Sequence, residues 1–226
     1  MSNKTNDKKI NSGMGEALFS DRERFEMWFA ENWKKTAFIS LGVVIAVSAA
    51  FGIVNHIADC KAAGAAELAA ATTIDTLKTA LEKNSGNPAA AMAQLRMANM
   101  LFDAERYSDA IIYLKKITDN TNADPVLVST AKLNIAKALE LSGKIDEAAK
   151  AFSAAATTAS NNISIKSEAA FGAARLLAKQ GKTAAALEEI QNLEAAKDAQ
   201  NNMSPYIADA AALKIAIENG EYGKIK

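Results

Sequence analysis

One stretch of this chain has no polar rhythm. Residues 36–54 read TAFISLGVVIAVSAAFGIV, nineteen positions without a charge. At about 1.5 Å per residue a helix of that length covers roughly 28 Å, the thickness of a hydrocarbon core. A core helix of a soluble protein is normally shorter or keeps a polar face, so the pattern predicts one transmembrane helix. Elsewhere apolar residues recur at helical spacing, in segments broken by Asn-, Gly- and Pro-containing turns such as Asn84-Ser85-Gly86-Asn87-Pro88 and Thr121-Asn122-Ala123-Asp124-Pro125. The expected fold class is all-α.

Ahead of the span, Phe25, Trp28, Phe29 and Trp33 share one helical face, as in a helix at the headgroup level. The alternative, a short cytoplasmic core helix, leaves them little else to pack against. Arg22, Arg24, Lys34 and Lys35 precede the span and only Lys61 closely follows it. The positive-inside tendency therefore puts the N-terminus in the cytoplasm and the remainder outside. Ser48-Ala49-Ala50 loosely fits a cleavage site, but the long charged lead and long apolar run fit a signal peptide less well than an anchor. Asp59 likewise stands where lipoprotein processing at Cys60 would want a small residue. Gly42, Ala46 and Ala50 would let a second helix approach.

Beyond the span the chain repeats itself. Residues 99–114 (NMLFDAERYSDAIIYL), 137–152 (KALELSGKIDEAAKAF) and 175–190 (RLLAKQGKTAAALEEI) align at a constant offset of 38. Ala98, Ala136 and Ala174 coincide, as do the turn positions Glu105, Gly143 and Gly181. So do Ala110, Ala148 and Ala186, and the large positions Leu114, Phe152 and Ile190. Each unit reads as a helical hairpin: a first helix closed by a glycine that tolerates left-handed angles, then a second helix carrying Ala at a close crossing. A lone hairpin cannot bury its apolar face, so the units must stack. Residues 215–226 begin a further copy, with Gly220 and Tyr222, after a helix expected from about Pro205. Asn and Asp before the first helices are expected to cap them.

Ala136, Leu139, Gly143, Ala148 and Phe152, and again Ala174, Leu177, Gly181, Ala186 and Ile190, resemble a tetratricopeptide repeat, with Glu105 departing at the glycine position. The expected architecture is thus a single N-terminal transmembrane helix followed by a tetratricopeptide-like solenoid of helical hairpins. Its expected parts are a disordered cytoplasmic lead (1–20), a juxtamembrane amphipathic helix (21–35), the span (36–54), a connecting or capping helix (55–87) and the repeat domain (88–226). The whole plan, with the segment FAENWKK (residues 29–35), resembles the ancillary SecYEG translocon subunit family. That resemblance implies a bacterial inner-membrane protein with a periplasmic solenoid, associated with the SecYEG translocon and with a membrane-anchored periplasmic chaperone.

Composition narrows the chemistry. With 26 basic and 26 acidic residues, the chain lacks the basic footprint of a nucleic-acid binder. One Cys and one His exclude a Cys/His-rich metal cluster made by a single copy. No phosphate-cradling loop, nucleophile elbow or zinc-binding histidine pair is present, and Glu188-Glu189 point about 100° apart on a helix. The expectation is a non-enzymatic scaffold without cofactor or metal, bound to the lipid bilayer and to other proteins. Contact positions expected on the first helices are Gln94, Asn99, Lys132, Asn134, Lys137 and Arg175. A structural tether in a cell-envelope or polysaccharide-export assembly is the alternative that the same architecture allows.

Overall fold

The computed structural model describes residues 21–159, 162–196 and 203–222. Among them are nine helices: α1 (Asp21–Ala70), α2 (Ile74–Lys83), α3 (Ala90–Asp103), α4 (Tyr107–Thr118), α5 (Pro125–Leu141), α6 (Ile145–Thr158), α7 (Ile163–Lys179), α8 (Thr183–Ala195) and α9 (Ile207–Glu218). The expected lead, residues 1–20, lies outside the described residues, as do Asn161, Asn201 and Asn202. The chain forms two compact units, Met1–Cys60 and Lys61–Lys226.

In the first unit α1 runs without interruption through both the aromatic segment and the apolar stretch. It is long and apolar enough to cross a membrane, and its apolar window is exposed throughout among the described residues. Phe38, Val43, Val47 and Phe51 all face outward. Such exposure is costly in water and favourable in hydrocarbon. His56 and Cys60 sit one turn apart on its exposed surface, with Nε2 and Sγ separated by 3.8 Å.

The second unit is an array of antiparallel hairpins, α3/α4, α5/α6 and α7/α8, with α9 opening a fourth. Sequential helices from α2 to α9 pack side by side, and each first helix also meets the next: α3 with α5, α5 with α7, α7 with α9. The second helices α4, α6 and α8 approach one another less. The first helices therefore line the inner face of the array.

The 38-residue register decides what is buried. Ala98, Ala136 and Ala174 are 0% exposed, as are Ala110, Ala148 and Ala186, so the small positions mark the close helix crossings. Leu114, Phe152 and Ile190 fill the space one turn on, at 0–3% exposed. The turns share one geometry. In the first, the N–H of Glu105 donates to Phe102 O (2.9 Å) and that of Arg106 to Leu101 O (2.8 Å), a Schellman closure. The same pair recurs from Gly143 and Lys144, from Gly181 and Lys182, and from Gly220 and Glu221. The central residues have φ of 56° (Glu105), 78° (Gly143), 75° (Gly181) and 66° (Gly220). Glu105 is thus held at an angle that its glycine counterparts adopt freely.

Helix starts differ more. Asp124 caps α5 by accepting from the N–H groups of Val126 (2.8 Å) and Leu127 (3.2 Å), with Pro125 as the first helical residue. Asn162 caps α7 in the same way, through Ser164 and Ile165. At the start of α3 the side chain of Asn87 instead accepts from Ala89 N–H and donates to Lys61 O (2.7 Å), tying the turn to α1. Between α1 and α2 the helix breaks at residues 71–73, where Thr73 and Thr76 form a reciprocal capping box. Pro205 precedes α9 rather than starting it, and Ser204 Oγ accepts from Tyr206 N–H (3.0 Å).

Candidate protein-interaction surface

The six polar positions expected to make contacts all fall on first helices, but in different circumstances. Lys137 of α5 pairs with Glu168 of α7, and Arg175 of α7 donates from Nη2 to both carboxylate oxygens of Glu140 on α5, at 2.7 and 2.8 Å. These two cations therefore join consecutive first helices. Each pair is partly exposed and contributes on the order of 1 kcal/mol or less. Lys132 and Asn134 are half-buried on α5, and Asn99 is exposed on α3.

Asn99 and Gln94 border different depressions. Asn99 lines a groove of about 310 Å³ together with Leu68 and Ala69 of α1 and Met92, Leu95 and Arg96 of α3. Gln94 lines a wider cleft of about 860 Å³ between two turns, with Asn87, Asn120, Asn122, Asp124 and Leu127 around it. Met92, 62% exposed, belongs to both. A third cleft of about 440 Å³, with Lys166, Glu189 and Asn192 on its walls, lies among α6, α7 and α8. The surface is mixed apolar and amide-bearing, suited to polypeptide. Among the described residues no group of three or more His, Cys, Asp or Glu side chains is placed to hold a metal ion.

Arg96 was not among the expected positions, yet its side chain reaches three backbone carbonyls of another helix end. Its guanidinium donates to the carbonyls of Leu68, of Ala69 (3.2 Å) and of Ala71 (3.0 Å), the free acceptors at the end of α1. A cation there also meets the negative end of the helix dipole. Beside it, Glu67 accepts from Lys83 Nζ (3.0 Å) and Asn84 Nδ2 (3.1 Å), and these hydrogen bonds hold its carboxyl below the usual carboxylate range. Gly64 permits the approach: a Cβ there would lie 2.5 Å from Asn84 Oδ1. The one sequence signal for Arg96 is its place in the register, where later copies carry Asn134 and Gly172.

A family profile described as Tetratricopeptide repeat matches residues 74–125 and 133–202, more than half of the chain. The chain belongs to the tetratricopeptide repeat family. Its class is that of helical protein-interaction scaffolds, and its partners are proteins. Comparison with curated proteins and with solved structures gives no match.

Proposed function

We propose that this protein is an accessory factor of protein export, anchored in the bacterial inner membrane by residues 36–54 with its N-terminus in the cytoplasm and its solenoid in the periplasm. In this reading residues 21–35 sit at the cytoplasmic membrane surface, residues 55–87 connect and cap, and residues 88–226 dock the SecYEG translocon and a membrane-anchored chaperone. The observation that carries it is an uncovered apolar helix joined in one chain to a tetratricopeptide array. The basic residues before the span support the orientation. FAENWKK at residues 29–35 supports the translocon as partner.

Docking would use polar positions of the first helices α3 and α5, namely Gln94, Asn99, Lys132 and Asn134. Lys137 and Arg175 would act there chiefly by holding α5 against α7. Photocrosslinkers placed at Asn99, Lys132 and Asn134 in native membranes test this directly. Adducts with translocon subunits or a membrane-anchored chaperone are expected; adducts confined to envelope-assembly or polysaccharide-export proteins would overturn it.

A further inference from the structure

We infer that residues 61–71 form a clasp on the first hairpin, pinned by Arg96, that opens as a separate unit while the rest of the solenoid stays folded. The starting point is a contrast in how the helices are held. All sequential helices from α2 to α9 pack side by side, whereas α1 makes no comparable pairing with α2 or α3. From its last ten residues only Gly64 and Leu68 are buried, and Leu68 (2% exposed) is the one large apolar side chain given to the shared core, beside Leu77 and Met97.

What holds the segment is polar. Asn87 reaches Lys61 O, Lys83 and Asn84 reach Glu67, and Arg96 spans three carbonyls from Leu68 to Ala71. These bonds exchange for bonds to water on opening, so their net hold is small compared with the alanine-lined crossings of α5 to α8. Arg96 also carries a penalty in the closed state: its Nε is buried and has no hydrogen-bond partner among the described residues. Opening hydrates that N–H. Segments with one buried anchor and many exposed hydrogen bonds lie at the low end of a protein's local stabilities. The groove of about 310 Å³ between the segment and α3 points the same way, since the contact there is bridged by a long side chain rather than filled.

Register explains why the pin is an arginine. At the equivalent place in the third hairpin, Gly172 meets the ring of Phe152 on the preceding helix. The first hairpin has no preceding hairpin, and meets instead the end of a helix with free carbonyls.

The test is thiol accessibility in the full-length chain in detergent, with Cys60→Ser removing the native thiol. Leu68→Cys reports the clasp and Leu176→Cys, at a site 1% exposed in α7, reports the array. The thiol at position 68 is expected to react with a maleimide about tenfold faster or more than the one at 176. Adding Arg96→Met should raise the rate at 68 several-fold more and leave that at 176 unchanged, and Asn87→Ala should act in the same direction. Rates within twofold of each other, or equal acceleration of both sites by Arg96→Met, would overturn the clasp.

Discussion

The ring of Phe152 lies against the backbone of Gly172 so closely that a Cβ on Gly172 would stand 2.8 Å from both Cδ1 and Cε1. Helices α6 and α7 meet at that point. Both residues are buried, so the added carbon has no room to move into. Gly172→Ala is expected to cost about 1–3 kcal/mol in urea denaturation. In a Phe152→Leu background the same change should cost less than half as much, because the smaller side chain vacates the site. Equal costs in both backgrounds would mean that the ring is not what excludes the methyl.

Glu105 offers the opposite sign. Its φ of 56° suits glycine, which occupies the matching turns at 143, 181 and 220. Glu105→Gly is expected to stabilise the array by about 1 kcal/mol, and Gly143→Ala to weaken it by a similar amount. Thermal unfolding of the two variants should shift in opposite directions by a few degrees.

Glu67 makes the clasp acid-sensitive. Its carboxyl is held below the ordinary value of 4.5 by the hydrogen bonds from Lys83 and Asn84, with the charge of Lys83 adding to them. A depressed carboxyl contributes stability above its unfolded value, and that contribution fades as pH falls through the lower folded value. The fold-difference in reactivity at position 68 between the parent and Glu67→Gln, read with a pyridyl disulfide, which also reacts with thiols in acid, should therefore be present at pH 7 and shrink as pH falls below 4.5. A difference unchanged down to pH 3 would rule out this carboxylate.

The α5–α7 ion pairs predict small, salt-dependent effects. Glu140→Gln or Lys137→Met should each lower stability by less than about 1 kcal/mol, with the loss shrinking as salt is raised. Partner capture that collapses in either variant at unchanged stability would instead make these side chains contacts.

Anchoring has its own check. Val43→Lys with Val44→Lys places two charges in the apolar stretch, at about 3 kcal/mol each for insertion. Alkaline extraction of membranes should then release the chain, which is expected to stay in the pellet otherwise.

How much of this could be read from residues alone depends on range. The hairpins were legible because Ala136 and Ala174, or Gly143 and Gly181, recur at a fixed interval and each carries a local physical meaning. Helix starts were legible at Asp124-Pro125, where cap and first turn are neighbours. The break after α1 was not, although Thr73 stands where a cap would; a run of Ala before it favours continued helix. Arg96 was hidden for a different reason: a side chain that binds carbonyls 25 to 28 residues away leaves no local pattern. Gly172 was hidden because a mid-helix glycine gains meaning only when Phe152 is placed against it. Sequence periodicity places all six polar positions on first helices, but no sequence rule separates Lys137 and Arg175, committed to carboxylates on adjacent first helices, from Asn99, which is exposed.

The uniform closure of the four turns bears on how such a chain can change over time. Each joint is closed by hydrogen bonds within six residues, as from Leu101 to Arg106, so gain or loss of one 38-residue module would leave the flanking joints intact. Length can therefore drift in whole steps, and the extent of the face lined by the first helices becomes a quantity that duplication alone can tune.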